Sequence, residues 1–285
     1  MTALREHTEH GVLLQRMATG TVIASFLITG SIGWLYMSDR FVELPLALFG
    51  ISIATVLLPK LSEFYSNSNS ESYNSTINWG LKLGILISLP TTIGLILLSK
   101  PILITLLQYK EFTLNDMHMT SISLIAFAFG LPGMIGAKIL ITNYYSRKDT
   151  RYPVKAALIA VACNFILNIS FVTYLIKTNF NGAHVGLALA TSISAYINFY
   201  FLFTNARKTK ILVMDRTIGN IFVKSLVATF IMSLFILYFN LGVESWVNLE
   251  LFERLTKLFL IIIFSIIIYF ILLITFKISP KNINN

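Results

Sequence analysis

Apolar runs, most of them about as long as a membrane-crossing helix, divide this chain, and they limit its fold more than any other feature. Read against the polar breaks, eight runs fall at 12–37, 41–58, 77–98, 117–142, 153–176, 185–203, 218–239 and 255–276. A helix needs about 20 apolar residues to cross about 30 Å of hydrocarbon. Within lipid every backbone N–H and C=O must be satisfied inside the protein, so a run of this length is a helix. Composition agrees: 12% of the residues are charged, against about 25% in soluble domains. A soluble enzyme and a disordered chain are both excluded. The pattern predicts an all-α polytopic membrane protein with about eight transmembrane helices.

The breaks have loop chemistry. Residues 66–72 form a Ser/Asn linker, residues 143–152 carry Arg147, Lys148, Asp149 and Arg151, and Asn179, Asn181 and Gly182 form a turn. Twelve Lys and Arg lie in or near the 59–76, 143–152, 204–217 and 277–285 segments, against five near the opposite loops. Positive charge collects on the cytoplasmic side, so the first set faces the cytoplasm, and an even number of spans places both termini there. The same rule accounts for the net charge of +9 and removes any need for a nucleic-acid partner. Residues 1–20 do not read as a secretory signal, because Glu6, His7, Glu9, His10, Gln15 and Arg16 interrupt them.

No cofactor or metal is expected. The four histidines are far apart, Cys163 is the only cysteine, and there is no phosphate loop, Gly-x-Ser-x-Gly elbow or His-Glu-x-x-His helix. The chemistry lies instead in charged residues among the apolar runs. Asp39, Arg40 and Glu43 precede Pro45, and on a helix Asp39–Glu43 and Arg40–Glu43 share a face. Carboxylates would hold the guanidinium, whose planar fork suits phosphate, while Pro45 could kink the helix beside a cavity. A short solvated turn on the non-cytoplasmic side explains the same residues equally well. Lys138 follows Met134 and Ile135 and precedes Ile139, and a lysine in lipid costs about 2.5–3.5 kcal/mol. It faces a cavity or snorkels to the cytoplasmic end. Pro132, Gly133 and Gly136 permit a bend or a close helix contact. Asn164 and Asn168 share a helix face and predict interhelical hydrogen bonds. His184 reads as an interfacial residue.

Taken in order, several stretches resemble the lipid II flippase family (MurJ, also called MviN) of the multidrug/oligosaccharidyl-lipid/polysaccharide exporter superfamily. They run from Ala24-Ser25-Phe26-Leu27 through Ser38-Asp39-Arg40-Phe41-Val42-Glu43-Leu44-Pro45 to Leu57-Leu58-Pro59-Lys60-Leu61-Ser62. Asn78-Trp79-Gly80-Leu81, Gln108-Tyr109-Lys110-Glu111-Phe112-Thr113 and Tyr144-Tyr145-Ser146-Arg147-Lys148-Asp149-Thr150-Arg151-Tyr152-Pro153 follow. The resemblance covers roughly Gly20 to the C-terminus.

It implies one lobe of a two-lobe exporter plus two C-terminal helices: a segment 1–19 of uncertain match, a bundle at 20–205, and the extra pair at 206–285. It further implies alternating-access transport of undecaprenyl-diphosphate-linked peptidoglycan precursor across the bacterial inner membrane, with no enzymatic step. Arg40 and Lys138 would bind the diphosphate, Asp39 and Glu43 would orient Arg40, and the last two helices would form a groove for the lipid tail. The family's N-terminal lobe has no counterpart in this sequence. The expected partners are therefore the lipid substrate, the bilayer and a separately encoded N-terminal half. An inactive remnant, or another drug or polysaccharide-lipid exporter of the superfamily, would share these features.

Overall fold

The computed structural model describes residues 20–108, 111–240 and 242–278, and is helical throughout with no strand among the described residues. After a short helical stretch at 20–25 and a turn ending at Gly30, α1 runs Ser31–Pro45. A π-helical segment, Leu46–Ile51, passes directly into α2, Ser52–Ser66. Then come α3 (Ser70–Leu107), α4 (Leu114–Phe129), α5 (Leu131–Tyr145) and α6 (Arg151–Lys177). The remainder is α7 (Val185–Lys208), α8 (Thr217–Phe239), the short α9 (Val243–Val247) and α10 (Leu251–Thr275). Seven helical units are long and apolar enough to cross a membrane: Ser31–Ser66, α3, Leu114–Tyr145, α6, α7, α8 and α10.

Against the eight expected spans, the described residues therefore hold seven. Most of the first, 12–37, either lies outside the described residues or is interrupted by the 26–30 turn. There Gly30 adopts φ 101°, and an added Cβ would sit 2.6 Å from the Trp34 ring, so only glycine fits. The break expected near residues 38–40 does not occur. Charge ends an apolar run but does not end a helix, and Arg40 and Glu43 satisfy each other on its surface. Pro45 lacks an N–H and crowds the carbonyl one turn back. The chain accommodates it by widening to a π segment, and the helix then resumes. The resulting 36-residue helix is about 54 Å long at 1.5 Å per residue, more than the hydrocarbon requires.

Helix ends carry the expected signals. Asn69 caps α3 by accepting from the Ser72 N–H, and Thr113 with Asp116 and Glu250 with Glu253 form capping boxes on α4 and α10. The α4–α5 unit packs on α7 through small residues. An added Cβ at Gly130 would meet Ser192 at 2.6 Å, and one at Gly136 would meet Phe199 at 2.7 Å. Close backbone approach is how helices associate in lipid. Asn164 donates to Thr191 and Ser194, and Asn168 donates to Asn164, which ties α6 to α7 as their spacing predicts.

The long α3 is the seam of the molecule. It packs on α2, α4 and α5 on one side and on α8 and α10 on the other. Tyr269 of α10 donates to the Leu86 carbonyl at 2.7 Å, and Asn240 after α8 donates to the Leu97 carbonyl at 3.0 Å. These contacts sort the connections into two ends. The loops near residues 67–69, 146–150 and 209–216 lie at one, and those near 112, 178–184 and 242–250 at the other.

Candidate functional site: a charged face on the first long helix

The buried residues of α1 are Ser31, Trp34, Ser38, Val42 and Pro45, a spacing of three and four that makes one stripe. Trp34 donates its indole N–H to Asp116 at 2.8 Å, and Ser38 donates to the Thr120 carbonyl at 2.8 Å. Together they fix the rotation of α1 on α4. At about 3.6 residues per turn, Tyr36, Arg40 and Glu43 then fall on the opposite face. Arg40 Nη1 lies 2.6 Å from Glu43 Oε2, and both side chains are about half exposed. The Arg40 guanidinium carbon sits 4.8 Å from the centre of the Tyr36 ring. Asp39 is half-buried on the flank of this face.

Lys138 is half-buried on α5. On that helix Gly133 and Gly136 face α7, and Ile135 and Ile139 face Gly50 and Gly84. Lys138 shares the remaining face with the half-buried Met134, Ile141 and Tyr145. Arg40 and Lys138 are not brought together. The contacts Trp34–Asp116, Ser38–Thr120 and Gly50–Ile135 run in parallel register, which sets Arg40 level with Ile122. Lys138 lies about sixteen residues further, or roughly 24 Å along the axis.

A second ion pair, absent from the sequence-based expectations, lies at the 209–216 end. Lys82 Nζ is 2.7 Å from Asp215 Oδ2, with the Lys82 side chain 2% exposed and Asp215 24%. The Thr217 N–H also donates to Asp215, and Asn78 bonds both the Val213 carbonyl and the Asp215 N–H. Burial opposes the charge on Asp215, but the Lys82 ammonium and the N–H and hydroxyl of Thr217 outweigh it and hold the carboxyl down to about 2. Beside this pair the Arg147 guanidinium lies 4.4 Å from the Tyr73 ring centre and 5.2 Å from that of Tyr65, and it donates to the Ile211 carbonyl.

At the opposite end His184, in the turn before α7, is fully buried within the protein. Its ring lies 5.0 Å from that of Trp34, and its Nε2 is 3.1 Å from the Met119 carbonyl oxygen. The same indole that fixes α1 covers it. Between α8 and α10 lies an apolar groove of about 570 Å³, lined by Phe235, Phe239, Phe252, Lys257, Leu260 and Phe264 among others. Among the described residues no group of three or more His, Cys, Asp or Glu side chains could hold a metal ion.

Residues 8–276 match the family model described as "Lipid II flippase MurJ". The chain belongs to the MurJ lipid II flippase family. It is 38% identical over 255 residues to a probable lipid II flippase MurJ of Haemophilus influenzae, covering 87% of this chain and 48% of that protein. To the corresponding protein of Vibrio cholerae it is 43% identical over 181 residues, covering 64% of this chain and 33% of the relative. A solved structure, "Lipid II flippase MurJ, inward closed conformation", superimposes with a TM-score of 0.74 at 29% identity, over 93% of this chain and 51% of the other. The chain thus spans about half, or less, of the length of these relatives. Membership together with the seven apolar helices makes it a multi-pass membrane protein.

Proposed function

We propose that this chain works as the C-terminal part of a lipid II flippase, a transporter rather than an enzyme, moving an undecaprenyl-diphosphate-linked peptidoglycan precursor across the bacterial inner membrane. The observation that carries the reading is the Arg40–Glu43 face. It lies on the 36-residue helix that carries the first candidate span and is directed away from the α4 contact that buries Trp34 and Ser38. A charged face set against lipid is costly, and it is satisfied instead by water, a partner or a bound anion. A second lobe in the manner of the longer relatives would close a cavity over it, and a separately encoded N-terminal half is the partner proposed to supply that lobe. Asp39 and Glu43 orient Arg40, and the guanidinium receives the diphosphate.

Lys138 then acts at another depth. With roughly 24 Å between the two residues, no single diphosphate touches both. Lys138 serves the end that holds the basic 146–150 and 209–216 loops, and Arg40 the other. The excess of Lys and Arg in those loops supports a cytoplasmic placement for that end. The groove between α8 and α10 suits the isoprenoid tail. The bundle 20–205 and the pair 206–285 then divide the labour between headgroup and tail.

Complementation tests the proposal. In cells depleted of their own flippase, the chain together with the N-terminal half of a longer relative should restore growth, and Arg40→Ala in that pair should not. Growth supported equally by the Arg40→Ala pair would remove Arg40 from the mechanism. Growth with this chain alone would remove the partner.

A further inference from the structure

Arg40 is gripped from two sides, and the two grips do different things. Glu43, three residues on, takes a hydrogen bond at Nη1. The other forked edge of a guanidinium, Nε with Nη2, points away from a carboxylate bonded there. Tyr36, four residues back, offers its ring at 4.8 Å from the guanidinium carbon, well within the range at which a ring face attracts a cation. Tyr36 is 51% exposed and lies on the face opposite the Trp34–Ser38–Val42 stripe, so it packs no core. Its contact with Arg40 is its distinctive feature.

We propose that Tyr36 is a positioning residue for the anion site, holding the Arg40 plane so that the Nε–Nη2 edge is presented to a diphosphate. A ring over the guanidinium limits its rotation, and a guanidinium held in one plane can meet two phosphate oxygens with parallel bonds. Without the ring, Arg40 keeps its charge and Glu43 but loses its fixed plane. The inference rests on the reading that Arg40 receives the diphosphate. It adds the residue that sets the geometry of that contact.

The test uses the full chain purified with wild-type sequence and as Tyr36→Phe, Tyr36→Leu, Arg40→Ala and the Tyr36→Leu/Arg40→Ala double variant. Binding of undecaprenyl diphosphate is measured for each. In parallel, an arginine-specific dicarbonyl reagent is used, and the rate of labelling at Arg40 is read by mass spectrometry. Tyr36→Leu should weaken binding roughly 2- to 5-fold, the range for an exposed cation–π contact, and should accelerate labelling. Tyr36→Phe, which keeps the ring but loses the hydroxyl that also bonds Arg40, should fall between wild type and Tyr36→Leu in both. In the Arg40→Ala background Tyr36→Leu should weaken binding no further. An additional loss in that background, or unchanged labelling in Tyr36→Leu, overturns the proposal and leaves Tyr36 an ordinary interfacial aromatic. If Arg40→Ala leaves binding unchanged, the diphosphate reading fails by itself, and the labelling rates still decide whether Tyr36 holds Arg40.

Discussion

The molecule contains two ion pairs that differ in almost every physical respect. Lys82–Asp215 joins residues far apart in sequence, buries the lysine and surrounds the carboxylate with further donors from Thr217 and Asn78. Arg40–Glu43 joins residues three apart, leaves both half exposed and adds Tyr36 from the same helix. The first is a fastening, in which each strong group is spent on another part of the chain. The second holds its charge in place while using one guanidinium nitrogen on Glu43. In a chain with so few charges, the pair left open is the one proposed to meet a ligand.

Breaking the fastening should have the largest effect on stability. Asp215→Asn removes the carboxylate that faces the buried Lys82 ammonium, and removing one partner of a buried pair costs about 3 kcal/mol. The loss should appear as a lower melting temperature in detergent. The double variant Lys82→Met/Asp215→Asn should regain much of it, because no stranded charge remains. A double variant as unstable as the single would mean that the loss comes from the missing Asp215 carboxylate bonds and not from the charge on Lys82.

Acid should loosen the same fastening by a smaller, graded amount. The Asp215 carboxyl is held down to about 2 from an ordinary value of 3.8. A group depressed by folding contributes stability that is fully present above its unfolded value and is lost as pH falls through the folded one. Wild-type stability should therefore decline between about pH 4 and pH 2, with part of that decline missing in Asp215→Asn. Parallel pH profiles for the two proteins would assign the acid sensitivity to other carboxylates.

What the sequence reveals about these two pairs follows from distance along the chain. Arg40 and Glu43 are legible because a helix puts positions three apart on one face, and Tyr36 is legible by the same rule at four. Lys82 breaks an apolar run just as Lys138 does, and that signal flags it, but its partner lies 133 positions away in a loop. No local spacing can name Asp215. The separation of Arg40 from Lys138 depends on how α1 and α5 are set in register through α4 and Gly50, which is a property of packing. The burial of His184 is hidden for a similar reason, since the Trp34 ring against it arrives from another helix. From residue 117 onward the expected spans match the helices to within a turn or two. The continuity of α1 into α2 was not, because hydropathy registers charge, whereas a helix is kept by backbone hydrogen bonds that the charged residues leave intact.

The smallest expected change in stability belongs to the open pair, and it sharpens the contrast most. Glu43→Gln removes a half-exposed partner in an i,i+3 pair, worth about 0–1 kcal/mol, so the melting temperature should barely move. Its effect should appear instead in binding. With the carboxylate gone, Arg40 loses a competitor for its donors and also the restraint on its plane. If competition dominates, Glu43→Gln binds undecaprenyl diphosphate more tightly than wild type; if restraint dominates, it binds more weakly. The short 2.6 Å contact and the ring at 4.8 Å together define one orientation, which favours restraint, so the expected outcome is weaker binding at unchanged stability. A variant that lost several kcal/mol instead would place Glu43 with Asp215 among the fastenings and erase the distinction between the two pairs.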